Sequence, residues 1–176
     1  SVADKDFAVA IGAAAQATNI GAVAIGGDDK NLAKASGKNA IAIGSNTQAL
    51  GENSLAFGTG SYAGTDGNIA VGVGSNASGA GSVAIGNTNK VNNKNTFALG
   101  SNIQSTQDNS VILGNASTDS VATKETGITL NGTAYVFAGQ GSTLNGVVSV
   151  GSATKERQLK YVAAGKVAAD STDGIN

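Results

Sequence analysis

The 176-residue chain carries 26 glycines, 11 basic and 12 acidic side chains, and no Pro, Cys, Met, Trp or His. A formal charge of −1 leaves no basic patch for nucleic acid, and without Cys or His there is no disulfide, no thiolate and no histidine base. Aromatic residues at 4% and charged residues at 13% are too few for a broad jigsaw core and for an ordinary disordered tail, which points to internal repetition. No run of 18 apolar residues exists, so no membrane-spanning helix is expected, and no signal peptide opens the chain. An exported protein would contain this sequence as an excised fragment.

Taken in chain order, the first element is a coil ending at Gly12, and the same Gly returns at Gly26, Gly44, Gly58, Gly72, Gly86, Gly100 and Gly114. Successive spacings are 14 residues except for one of 18, which places a four-residue insertion in the stretch 27–34. About eight coils of 14 residues predict an all-β solenoid. Ahead of each Gly runs a short strand of the form Φ-Ala-Φ, where Φ is a bulky apolar residue: Val9 and Ile11, Val23 and Ile25, and so on to Val111 and Leu113. Residues two apart share a face, so the Φ pairs are expected to stack as two ladders inside the coil. The middle residues Ala10, Ala24, Ala42, Ala56, Ala70, Ala84, Ala98 and Ile112 must then point the other way. A row of alanines in water is one reading. The other, preferred because Thr, Lys or Gln would suit a wet strand better, buries that row against sister chains as a homo-oligomer interface.

Half a coil later a second strand alternates polar and small residues. Its polar row is Gln16, Lys34, Gln48, Tyr62, Asn76, Lys90, Gln104 and Thr118, expected in water. Its small row, Ala17, Ala35, Ala49, Ala63, Ala77, Val91 and Ser105, is expected inside, and Asp119 breaks it, as in an eroded last coil. Gly21, Asn39, Asn53, Gly67, Gly81, Asn95 and Asn109 recur two positions before the first Φ, which predicts a left-handed corner there. The strings at 58–63 and 72–77 resemble a dinucleotide loop only in spacing: they recur at the coil period and precede no helical pattern.

The units NAIAIGSNTQALGENSLAFGTGSYAG (39–64) and GSVAIGNTN (81–89) resemble the head repeats of YadA-type trimeric autotransporter adhesins. The stretch VVSVGSATKERQLKYVAAGKVAADSTDGIN (147–176) resembles that family's neck, and GITLNGTAYVFAGQGSTLNG (127–146) is similar to the insert between head and neck. The resemblance implies a left-handed parallel β-roll, homotrimeric, followed by a neck leading to a coiled-coil stalk that Ile175 would begin. The domains expected are head repeats at 1–126, insert at 127–147, and neck at 148–176.

At the neck Leu159, Val162 and Val167 are the apolar residues available for a three-fold axis, and Arg157 and Asp173 either pair between chains or stand solvated. No catalytic, cofactor-binding or metal-binding residues are expected, and no enzymatic activity. The implied function is host adhesion, to collagen, fibronectin, laminin or a CEACAM-type receptor, from the bacterial surface, with an outer-membrane anchor elsewhere in the protein. A structural spacer or self-association module is the alternative. Residues that interrupt the repeat or project from the wet strand are the candidate ligand surface: Asp28, Asp29, Lys30, Lys34, Tyr62, Asp66 and Lys90.

Overall fold

A computed structural model describes residues 1–174, so Ile175 lies outside the described residues. Among the described residues the chain winds as a parallel β-solenoid whose coils feed two facing sheets, one of nine strands and one of seven. The nine-stranded sheet stacks the Φ-Ala-Φ strands, from Val9–Ile11 up to Val111–Leu113, and the seven-stranded sheet stacks the second strands, from Val2–Ala3 to Lys90–Val91. Equivalent residues pair rung upon rung: Ala56 lies against Ala70, and Ala24 against Ala42 across the 18-residue spacing. The insertion therefore leaves the register intact. It forms a tight loop closed by an antiparallel bridge between Gly27 and Leu32.

The facing of the first strand is the reverse of the expectation. Ala24, Ala42, Ala56, Ala70, Ala84, Ala98 and Ile112 are fully buried inside their own chain, with Ala10 partly covered in the first coil. They are core residues and not an interface between chains. The Φ side chains point outward instead: Ile11 is 57% exposed, Phe57 49% and Leu99 46%. The reason is the width of the coil. Its other inward columns are also small, with Ala22, Ala40, Ser54, Asn68, Ser82, Thr96 and Ser110 on one side and Ala15, Ala33, Thr47, Ser61, Ser75 and Asn89 on the other. Two sheets drawn together on Ala and Ser leave no room for a full ladder of Ile or Phe between them, and only near the end of the stack do Ile103 and Ile112 fit inside.

Buried polar side chains in this narrow interior serve the backbone. Asn68 donates its amide to the Ala77 carbonyl (2.8 Å) and accepts from the Ser82 N–H (3.0 Å). Asn89 repeats the pattern with the Gly100 carbonyl and the Ile103 N–H, and Thr47 donates to the Gly58 carbonyl at 2.9 Å. Each such bond satisfies a corner group that the sheets leave over.

The corners follow the sequence expectation and add to it. Gly21, Asn39, Asn53, Gly67, Gly81, Asn95 and Asn109 all have positive φ, between 51° and 67°. Phe7, at the same place in the first coil, adopts it too at 60°. A further left-handed corner, at Asn46, Gly60, Gly74, Thr88, Asn102 and Ala116, was not foreseen, because Thr and Ala hide the pattern. At the repeating Gly both conformation and space are restrictive: Gly58 has φ of 118°, and a Cβ there would meet the Gly72 carbonyl at 2.8 Å.

After the eighth coil, Gly127–Leu130 and Thr133–Val136 form an antiparallel hairpin turned by Asn131 and Gly132, both at positive φ. This Asn-Gly pair is the expected chemistry of a two-residue hairpin. The chain then returns to the stack. Val148–Ser149, inside the segment resembling a neck, pairs with Val111 and Ile112 and becomes the ninth strand of the large sheet. The repeat does not stop at the hairpin; it resumes once more after it.

Candidate functional surfaces

Three features of the rod present themselves to partners: the apolar Φ ladders, the polar row of the opposite sheet, and the capped end near Arg157. The Φ ladders form a continuous stripe of Val, Ile, Leu and Phe along the nine-stranded sheet, each half-buried by its rung neighbours and half open. At the far end Val148, 71% exposed, extends it.

On the opposite sheet the row Gln16, Lys34, Gln48, Tyr62, Asn76 and Lys90 runs in register, carried on by bridges from Lys90 to Gln104 and from Gln104 to Thr118. Three of the predicted ligand residues, Lys34, Tyr62 and Lys90, therefore share one line, two rungs apart. The other four do not join them. Asp28, Asp29 and Lys30 sit on the insertion loop, where the Asp28 carboxylate accepts from the Lys30 N–H (2.8 Å), the Asn31 N–H (2.8 Å) and the Asn31 side chain. Asp66 lies at a corner and accepts from the Glu52 N–H one coil below (2.8 Å), as Asp108 does from the Lys94 N–H (2.9 Å). Both carboxylates hold the stack together from outside.

The bonds to Asp28, that from the Lys30 backbone first, hold its carboxyl below the usual aspartate range. The stabilisation of the loop is complete above the pKa of an unfolded aspartate and is lost as pH falls through the lower folded value. We expect the Lys30 and Asn31 amide resonances to stay at their hydrogen-bonded positions until the solution is more acidic than the titration of a free aspartate. A midpoint at or above that of a free aspartate would contradict it.

The end of the rod is sealed by two charged side chains. Asp119, in the inward row and 5% exposed, accepts from the N–H groups of Thr106 and Gln107 (2.6 and 3.0 Å) and from the Thr106 hydroxyl (2.9 Å). It closes the interior; the last coil is capped, not eroded. Replacing Asp119 by Ala strands two backbone donors and is expected to lower stability by about 1–3 kcal/mol, read from the denaturant midpoint.

Arg157 sits over Gly114 and donates to the Asn115 carbonyl, the Val150 carbonyl and the Ser117 hydroxyl at 2.6–2.8 Å. Its guanidinium thus serves carbonyls for which no further coil supplies donors. Asp173 accepts from the Lys166 N–H within its own segment (3.0 Å). Leu159, Val162 and Val167 are exposed on the single chain, at 72%, 44% and 89%. Among the described residues no three His, Cys, Asp or Glu side chains converge into a metal-holding group. Nor, among the described residues, is any helix long and apolar enough to cross a membrane.

The family model of the YadA head domain repeat (two copies) matches residues 3–28, 35–61, 69–89 and 77–102, all within the coils just described. The stack is a YadA-like head domain. The autotransporter adhesin BtaE of Brucella suis biovar 1 (strain 1330) is 44% identical over 63 residues, covering 36% of this chain and 8% of that protein. The chain thus spans less than a tenth of the length of this relative. A solved structure, the C-terminal YadA-like domain of BPSL2063 from Burkholderia pseudomallei, aligns with 57% of this chain and 43% of its own. Identity there is 33%, and the TM-score is 0.46. Within the YadA-like head, sequence reasoning missed the outward Φ stripe and both end caps. A charged residue in an otherwise small inward row was the available signal for Asp119.

Proposed function

We propose that the chain is the adhesive head and neck of a trimeric autotransporter adhesin on a bacterial surface. In this reading three copies pack their nine-stranded sheets around a common axis and turn their seven-stranded sheets to the outside. The observation carrying it is the unbroken stripe of half-exposed Val, Ile, Leu and Phe along one face of a rod whose opposite face is polar. A stripe of that length left wet invites aggregation, and closed cyclic packing hides it without leaving an open edge. The three-fold count comes from the likeness to YadA-type adhesins.

Residues 1–126 then form the head, 127–147 the insert and 148–176 the neck, with Val148–Ser149 still part of the stack. Leu159, Val162 and Val167 face the axis below it, and Arg157 and Asp173 would have to exchange the partners they hold within the chain to pair between chains. Stalk and outer-membrane anchor belong to the rest of the protein. The adhesin relative supports a binding role without catalysis. Host partners in this reading are matrix proteins such as collagen, fibronectin or laminin, or a CEACAM-type receptor, held by avidity from many weak contacts.

Light scattering on the purified chain should return three chain masses, and the assembled protein should bind a host cell layer saturably at physiological salt. A stable monodisperse single chain would overturn the assembly. Assembly with binding only to itself would favour the spacer or self-association role.

A further inference from the structure

The outward row of the seven-stranded sheet is a flat, regular line with an unusual charge distribution. The strands of both large sheets lack Asp and Glu, and only the seven-stranded one carries charged side chains, both of them lysines. Lys34 and Lys90 stand on this line with no ion pair among the described residues, and Tyr62 lies midway between them. Register fixes the spacing, since Lys34 pairs with Gln48, Gln48 with Tyr62, Tyr62 with Asn76 and Asn76 with Lys90. Rungs lie about 4.8 Å apart, so Lys34 to Tyr62 and Tyr62 to Lys90 each span about 10 Å, close to one disaccharide of an extended β-linked polysaccharide.

Tyr62 is also laid in a particular way. Its ring crosses Gly64, where a Cβ would come within 3.0 Å of the ring's Cζ and hydroxyl. Neighbouring coils carry Ser36, Leu50 and Ser78 at the position of Gly64. The missing side chain lets the ring lie down along the sheet, half-buried, with a surface left for a partner. An aromatic face between amide side chains, Gln48 and Asn76, suits a pyranose ring and its hydroxyls.

We propose, resting on the adhesive reading above, that this row binds a linear anionic polysaccharide. One sugar ring stacks on Tyr62, and the carboxylates or sulfates of flanking disaccharides meet Lys34 and Lys90. Three outward rows per assembly multiply contacts that are individually weak and sensitive to salt.

The test uses the assembled chain and fluorescently labelled chondroitin sulfate oligosaccharides, β-linked throughout, at physiological ionic strength, read by anisotropy. An octasaccharide should bind and a disaccharide should not, because only the longer probe spans both lysines. The Lys34→Gln, Lys90→Gln double variant and Tyr62→Ala should each weaken binding about fivefold or more. The Lys38→Gln, Lys94→Gln variant removes the same charge from exposed corner residues and should change it less than about twofold. No binding by the wild-type assembly, equal binding of disaccharide and octasaccharide, or equal losses in the two lysine variants would each overturn the assignment.

The same preparations are weighed by light scattering and applied to host cells stripped enzymatically of anionic polysaccharide. Adhesion that persists there while the probe fails to bind sinks the polysaccharide assignment and leaves the adhesive reading standing. Absence of assembly and of adhesion to untreated cells sinks the adhesive reading itself.

Discussion

Ala70→Lys unfolds the chain at every protein concentration. Ala70 has no exposed surface, and its neighbours on the adjoining rungs are Ala56 and Ala84, equally buried. A lysine there must place its stem in a space filled by methyl groups and its ammonium where no carboxylate can reach it. An unpaired buried charge costs about 3–5 kcal/mol, before the strain of overpacking. With about 1–3 kcal/mol of overpacking added, the total reaches the lower part of the range, about 5–15 kcal/mol, that holds an ordinary domain folded. Circular dichroism should show loss of the β signal, and raising the concentration should not restore it. A folded single chain carrying this lysine would mean that the alanine row faces outward after all.

The second large effect is expected at Ile85, on the opposite side of the same sheet. Ile85 is half-buried between Val71 and Leu99 on the stripe, and its chain interior is unaffected by what its tip carries. Glutamate there puts one carboxylate per chain into the apolar contact and sets like charges against one another. If the parent assembles as proposed, light scattering on Ile85→Glu should show single chains at concentrations where the parent gives three chain masses. Unlike Ala70→Lys, the defect should be reversible by mass action, with a melting temperature that rises with protein concentration. Gln48→Lys, on the polar row, should leave the mass unchanged. If Ile85→Glu remains assembled with an unaltered midpoint, the stripe is not the interface.

These two substitutions separate what strand periodicity can say from what it cannot. Alternation with a period of two shows that Ala70 and Ile69 or Val71 point to opposite sides, and it says nothing about which side is inside. Assigning bulky residues to the interior is sound for a wide core, and it fails here because the other inward columns, Ile103 apart, are built of small or polar residues from Ala15 to Ser110. Those columns could have been read in the sequence, since Ala, Ser, Thr and Asn recur ahead of the first Φ in every coil from the second onward. The candidate ligand surface was legible only in part. Lys34, Tyr62 and Lys90 fall on one line because the repeat period sets the pairing register. Asp28 and Asp66, singled out for their charge, are occupied with backbone N–H groups.

The 14-residue period, the left-handed corner at Gly21 and its equivalents, the site of the insertion and the facing of the second strand were determined by the sequence alone, because each rests on local backbone preference or on repetition. The facing of the first strand was decided only by the tertiary structure, as were the return of Val148–Ser149 to the stack and the caps made by Asp119 and Arg157. Each of these depends on how much space two sheets leave between them and on which backbone groups the last coil leaves unpaired. Those are properties of the assembled stack, and no single repeat contains them.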